Sequence, residues 1–286
     1  MSSILTNSSA MNALATLKDV NRGLNQTQDR VSTGLKVASG KDNAAYFAVS
    51  ETMKGDSGMF KAINEGMTAT KNSVATARLG AETVSDIAQQ IVERVAFAQT
   101  DGVDRADVQL EIAALVKNMG TAIEQATFNG DNLVSDDTTD VTVVNGVTRT
   151  AGDSNNEFGA TTFVFKGVNL DAIKTAFEAI DVSVAEDNDD TTKDSLSDKL
   201  AAAETQLAAS ITAATSLGIT ENALEGQMEF IDSLTDTLNS GVSSMVDADM
   251  EEEAARLQAY QVQQQLATQS LSIANQAPQN ILSLFR

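Results

Sequence analysis

The stretch STGLKVASGKDNAA, Ser32 to Ala45, holds a glycine, a gap and then Gly-Lys, the parts of a phosphate-binding loop. Such a loop needs four residues between its first glycine and the Gly-Lys pair, then a Ser or Thr whose hydroxyl holds magnesium. Here five residues separate Gly34 from Gly40, and Asp42 follows Lys41. A carboxylate at that place repels phosphate, and Leu14 to Leu35 reads as helix where a strand is required. The stretch does not fit nucleotide chemistry, and its turn needs another explanation.

Other chemistries fail on residue type. The chain has no histidine and no cysteine. That removes the Ser-His-Asp triad, an imidazole base, thiolate nucleophiles, disulfides and the common soft metal sites. Carboxylates are plentiful enough for a glycosidase-type pair. They fall on polar helix faces, however, and aromatics are only 4% of the chain, so the pattern is that of a solvated surface. Asp187, Asp189, Thr191 and Asp198 lie in rough EF-hand register. Calcium binding there wants Gly where Thr192 stands and Glu where Asp198 stands, so AEDNDDTTKDSLSD reads as a flexible acidic loop. Glu251, Glu252 and Glu253 read as first-turn acids that favour a helix dipole. No enzyme activity, cofactor or metal is expected.

The elements around these residues are mostly helices. From Met67, small or apolar residues fall at Thr70, Val74, Ala77, Ala81, Val84, Ala88, Ile91, Val95 and Ala98, alternating steps of three and four as in a coiled coil. After TDGVD a second stripe runs Val108, Ile112, Leu115, Met119, Ala122 and Ala126, which predicts an antiparallel helical hairpin. A third runs from Leu200 through Leu207, Leu217, Leu224, Ile231 and Leu238 to Met245, a span on the order of 70 Å that predicts a rod. The ends are helical too. Leu14, Leu17, Leu24, Val31 and Leu35 line one face of the first helix. Ala255, Ala259, Val262, Leu266, Ser270, Ile273, Ala277, Ile281 and Leu284 line the last, which Pro278 is expected to kink or end. Between them, residues 131–195 predict a β-hairpin turning at Asn145-Gly146, a strand in TTFVFKG and a short helix from Leu170 to Ile180. The expected fold is mainly α, an elongated antiparallel helical rod with a small β-hairpin insert.

Charge divides the chain. Of the net −21, residues 1–50 carry +2 and residues 255–286 carry +2, leaving −25 on 51–254. This excess acid disfavours nucleic acid and anionic membrane as partners. From Leu257 to Gln276 there is no charged residue at all, and the polar positions are amides and hydroxyls. Such groups can be buried if they pair, whereas charges there cost several kcal/mol. Fully burying a Leu or Ile gains roughly 1.5–3 kcal/mol, against about 1–2 kcal/mol for each residue ordered. A lone pair of these end helices is marginal, and the pattern points to burial by other copies. No secretory signal and no bilayer-spanning run is present, so the chain is expected to be cytoplasmic or exported without cleavage.

LNQTQDRVSTGLKVASGKDNAAYFAVSETM, from Leu24 to Met53, resembles the N-terminal region of bacterial flagellin. ATFNG (Ala126 to Gly130), LGITENALE (Leu217 to Glu225) and ANQAPQNILSLFR (Ala274 to Arg286) are similar to later parts of that family, in the same order. The resemblance implies a self-polymerising subunit of the flagellar filament, exported by the flagellar type III apparatus. It implies inner-tube helices at 1–45 and 249–286, outer-tube segments at 46–130 and 196–248, and a surface-facing insert at 131–195. Leu14, Leu17, Leu24, Val31, Leu35, Val262, Leu266, Ile273, Ile281 and Leu284 would form the polymer interface. Arg30, Gly34, Gly40 and Asp42 would form the connection between tubes, the glycines letting the chain change direction. Partners would be other copies, the filament cap, hook-associated proteins and a cytoplasmic export chaperone at the C-terminal segment. Positions that meet the animal innate receptor in this family fall on Ile91, Val95 and Glu111, where an expected Arg is replaced by Ile91. A hook–filament junction protein and a secreted helical-rod adhesin are the rival readings.

Overall fold

The computed structural model describes residues 7–135, 140–149, 158–183 and 195–284. In chain order these form α1 (Ser8–Thr33), α2 (Ala44–Phe97), α3 (Arg105–Gln125), β1 (Thr127–Phe128), β2 (Asp131–Asn132), β3 (Asp140–Arg149), β4 (Phe158–Lys166), α4 (Leu170–Glu178), α5 (Leu196–Val246) and α6 (Met250–Leu284). They group into two packed units, one built from the two ends of the chain up to Ser57 and from Asp236, the other being Gly58–Thr235.

In Gly58–Thr235 the seven-residue repeat decides the core. Met67, Val74, Ala81, Ala88 and Val95, with Ala77, Val84, Ile91 and Ala98 between them, are all fully enclosed on α2. Ala203, Ser210, Leu217, Leu224 and Ile231 are buried at the same interval on α5. The two helices run antiparallel, with Asn64 bonded to Asp232 at 2.6 Å, Lys71 paired with Glu225, and Arg78 bonded to Glu221 at 2.7 Å. Arg78 is also held by Glu82 at 2.5 Å. The Glu221 hydrogen bond, seconded by Glu82, holds the guanidinium above its ordinary pKa.

After α2 the chain turns at Gly102 (φ 86°) and returns as α3, capped by Asp104, whose carboxylate accepts from Ala106 N–H at 2.9 Å. The hairpin closes tightly, since a Cβ on Gly80 would lie 2.5 Å from Ala126 Cβ. Beyond the stripe read from sequence, α3 also buries Val116 and Ile123. The reason is α4, which packs on α3 and sinks Leu170, Ile173 and Phe177 into the same core. The Gln109 side chain fastens the chain that follows α4, accepting from Val182 N–H at 2.8 Å and donating to Ile180 C=O at 3.4 Å.

The insert corrects one expectation. Asn145-Gly146 is not a turn but lies inside β3, which pairs antiparallel with β4 on both sides of it. Val144 faces Thr162 and Gly146 faces Thr161, so Asn145 is the extra residue of a bulge. Burial of Val143 and Phe165 on one face keeps the strand running through the Asn-Gly pair, and Gly146 serves a close approach: a Cβ there would lie 2.7 Å from Thr161 Oγ1. The Asn-Gly pair that does turn is Asn129-Gly130, at φ 52° and 93°, joining β1 to β2.

Of the rough EF-hand, Asp187, Asp189 and Thr191 lie outside the described residues. Asp198 is committed to a reciprocal cap on α5: its carboxylate accepts from Ser195 N–H at 3.1 Å, while Ser195 Oγ accepts from Asp198 N–H at 3.2 Å. Among the described residues there is no acid cluster arranged for a metal, and no helix long and apolar enough to cross a membrane.

The burial pattern sets a test of helix rotation. Leu224→Ala should destabilise the monomer by about 2–5 kcal/mol in urea unfolding, and Ile219→Ala, on the exposed face, by less than about 0.5 kcal/mol. Equal losses would mean that α5 is rotated from the position described.

Candidate assembly surface on the paired terminal helices

In the unit formed by the chain ends, α1 and α6 lie antiparallel. The α1 face toward α6 is Ala10, Ala13, Leu17, Val20, Leu24, Thr27 and Val31, again in steps of three and four. Gly23 lets the helices approach, for a Cβ there would meet the Tyr260 ring at 2.6 Å. Asn21 Oδ1 accepts from Gln264 Nε2 at 2.7 Å across the seam. Uncharged amides are thus paired between the helices, as their burial requires.

The face of α6 that meets α1 is a second row, beside the Ala255–Leu284 stripe read from the sequence. It is Glu253, Leu257, Tyr260, Gln264, Ala267, Leu271 and Ala274. Val262, Leu266 and Ile273 lie outside this row and are 55%, 58% and 69% exposed, Leu266 at the edge of the groove between the helices. Both rows have the same period, so periodicity alone could not rank them; the amide partner Asn21 and the gap at Gly23 do. Of the other expected interface residues, Leu17, Leu24, Val31 and Leu35 are half-buried within the chain, while Leu14 is 42% exposed; Met11, not singled out in the sequence, is 64% exposed. The side chains of Ile281 and Leu284 lie outside those described. A groove of about 300 Å³ runs between the helices, floored by Val20 and Ala267 and edged by Ala13, Thr16 and Ser270.

Pro278 does not end α6, which continues to Leu284. A proline lacks the N–H that would bond the carbonyl four residues back, here Ala274. That carbonyl instead accepts from Asn7 Nδ2 at 2.8 Å.

At the other end the two connections are stitched together. Gly34 closes α1 in the left-handed region at φ 73°, its N–H bonding Arg30 C=O. Lys36 and Val37 donate to Val246 C=O at 2.7 and 3.2 Å, and Ala248 donates to Gly34 C=O at 2.9 Å. Val37, Val242 and Val246 form a small core beneath, with Leu35, Phe47, Met53 and Met245 around it. Arg30 Nη1 reaches Glu253 Oε1 at 3.0 Å, with only 7% of the Glu253 side chain exposed. The expected first-turn acid is therefore the buried partner of Arg30, and Asp249 caps α6 by accepting from the N–H of Glu251 and Glu252. Gly40, expected beside Gly34 as a point of freedom, has no left-handed φ, and a Cβ there would sit 3.6 Å from Phe47. The Ser32–Ala45 stretch is a crossing between helices, held by one turn-forming glycine and by Asp42.

Of the three positions matched to receptor contacts, Ile91 and Val95 are fully buried in the Gly58–Thr235 core. Glu111 is exposed and pairs with Arg94 at 3.3 Å.

Asp42 gives a pH prediction. Its carboxylate accepts from Ser39 Oγ at 3.0 Å, the main cause of a pKa below the ordinary 3.8; the N–H groups of Ser39 and Ala38 and the Arg30 charge add to this, and burial opposes it. A depressed carboxylate contributes stability above its unfolded pKa and loses it as pH falls through the folded one. The Ala38–Asp42 turn should therefore hold through mild acid and open below pH 3.8, which an NMR titration of the Asp42 carboxyl would show. A midpoint at or above 3.8 would mean that these bonds do not form in solution.

Comparison with known proteins agrees with this architecture. Residues 4–139 match the family of the bacterial flagellin N-terminal helical region, and residues 200–285 that of the bacterial flagellin C-terminal helical region. The chain is 38% identical over 290 residues to a flagellin of Brucella melitensis, each covered over 100% of its length. It is 31% identical over 320 residues to Flagellin C of Rhizobium meliloti, again with both chains fully covered. It is 30% identical over 291 residues to Flagellin FljM of Caulobacter vibrioides, covering 99% of that protein. Matched at both ends and aligned over its whole length, the chain belongs to the bacterial flagellin family.

Proposed function

We propose that copies of this chain join through the outward face of α6 together with Met11 and Leu14 of α1. Family membership makes the chain a structural subunit that polymerises into the extracellular flagellar filament. The observation that carries the surface is the exposed row Val262, Leu266 and Ile273 on a helix with no charged residue from Leu257 to Gln276. Contiguous exposed apolar surface on such a helix marks a contact with protein. The groove floored by Val20 and Ala267 offers such side chains a seat.

On this reading 1–45 and 249–286 are inner-tube helices, 46–130 and 196–248 build the outer tube, and 131–195 faces the medium. The charge layout supports it, residues 1–50 and 255–286 each carrying +2 and the chain between them being acidic. Export is through the flagellar type III apparatus without signal cleavage. A cytoplasmic chaperone covers the Met250–Arg286 region until then, and the filament cap and hook-associated proteins meet the assembled ends. The full-length match to flagellins leaves the hook–filament junction and adhesin readings without an observation of their own.

Leu266→Glu with Ile273→Glu should leave monomer stability within about 0.5 kcal/mol, since both sites are exposed. Under electron microscopy the pair should abolish salt-induced filaments, as should removal of residues 1–45 and 250–286. Normal filaments from the double variant would move the contact surface elsewhere.

Innate-receptor recognition should be weak, because Ile91 and Val95 offer the receptor no surface and no Arg stands at position 91. A cell reporter responding strongly to purified monomer would overturn that.

A further inference from the structure

We infer that Asn7 is a positioning residue for assembly: it sets the register of α1 against α6 through the carbonyl that Pro278 leaves free. The inference rests on the reading of the α6 face as the polymer contact.

One side chain serves two helices. Asn7 Oδ1 accepts from Ala10 N–H at 3.1 Å, capping α1, while Asn7 Nδ2 donates to Ala274 C=O at 2.8 Å on α6. The Asn7 backbone C=O also takes the first helical bond, from Met11 N–H at 3.0 Å. An α6 with any other residue at 278 would offer Ala274 a bond from its own backbone. With Pro278 that internal donor is gone, and Asn7 supplies one from the partner helix. Asp and Ser cap helices as well as Asn does. Asp has no donor, however, and Ser carries its donor and acceptor on one atom. Only the amide can face Ala10 with oxygen and Ala274 with nitrogen.

The consequence for assembly is geometric. Arg30–Glu253 fixes the helix pair at its connected end, and Asn21–Gln264 fixes it midway. Asn7–Ala274 is the outermost tie among the described residues, one residue beyond Ile273. Ile273 and Leu266 project from α6 toward other copies, so a slip or rotation of α6 at this end misplaces them. Asn7 thus acts on the contact surface without belonging to it.

The test compares the critical concentration for salt-induced, seeded filament growth among full-length variants. Asn7→Asp and Asn7→Ser both keep a capping acceptor and lose the bridging amide. Each should raise the critical concentration about fivefold, the equilibrium equivalent of one ordinary protein hydrogen bond. The Ser variant separates that loss from the added charge of Asp. Hydrogen exchange at the Ala10 amide should stay protected in Asn7→Asp filaments, showing that the cap survives. In a Pro278→Ala background, where the backbone again serves Ala274, the Asn7→Asp effect should shrink toward none. Wild-type critical concentrations for both Asn7 variants, or effects additive with Pro278→Ala, would overturn the inference and leave Asn7 a cap alone. Failure of the unaltered chain to grow from seeds would instead strike the reading of the α6 face.

Discussion

On α2, Met67, Val74, Ala81, Ala88 and Val95 recur every seven residues, and on α5 Ala203, Ser210, Leu217, Leu224 and Ile231 do the same. A side chain that returns to one face every seven residues can meet a partner helix along its whole length. The small members matter as much as the large ones, because Ala, Ser and Gly let backbones approach while Met, Leu and Ile fill the space between. A chain with 4% aromatics can bury a core in this way without the bulk that a rounder domain needs. The described acids of α2 and α5 in Gly58–Thr235 lie on polar faces, where Glu221 meets Arg78, Glu225 meets Lys71, and Arg94 reaches Glu111 of α3 across the helix boundary.

The same repeat has a second use in the chain ends. α6 carries two rows of equal period, one spent on α1 and one left in water. The inner row mixes Leu257, Tyr260 and Leu271 with Gln264, Ala267 and Ala274, three positions where a self-sufficient pair would place Leu. Buried amides and Ala hold the helices in register more than they hold them together, since they remove little apolar area from water. The Arg30–Glu253 pair fits that role, because a buried ion pair specifies geometry better than it adds stability. Within the chain these contacts serve the register of the helix pair more than its strength.

The pattern of rows explains what could be read from sequence. The α2 and α5 stripes were legible because each has one apolar row, and nine of the ten α2 positions from Met67 to Ala98 are fully enclosed. On α6 the sequence singled out only one of two rows, because both are apolar or amide and only the identity of its partner tells which one packs on α1. Asn145-Gly146 misled for a related reason: the dipeptide permits a turn, but nine paired positions with Val143 and Phe165 turned inward outweigh it. Pro278 was read as a kink or an end because a lost N–H leaves a carbonyl unpaired, and the residue that serves that carbonyl, Asn7, stands 267 positions from Ala274. The connection at Gly34 was legible as a turn, yet its backbone pairing with Val246 and Ala248 carries no signal in side-chain type at all.

The absence of charge from Leu257 to Gln276 of α6 bears on which state of the molecule the sequence is fitted to. In a single chain Val262, Leu266 and Ile273 are more than half exposed, and a lysine or glutamate beside them would improve solubility at no cost to the α1–α6 seam. The same chain places 40 acids and 19 bases, so charge is not scarce. From Leu257 to Gln276 it places none. In the isolated subunit that choice gains nothing. In an assembly it avoids burying an unpaired ion, a penalty of several kcal/mol at every copy. The uncharged stretch thus has the composition of a buried surface, although in the single chain one of its rows stands in water.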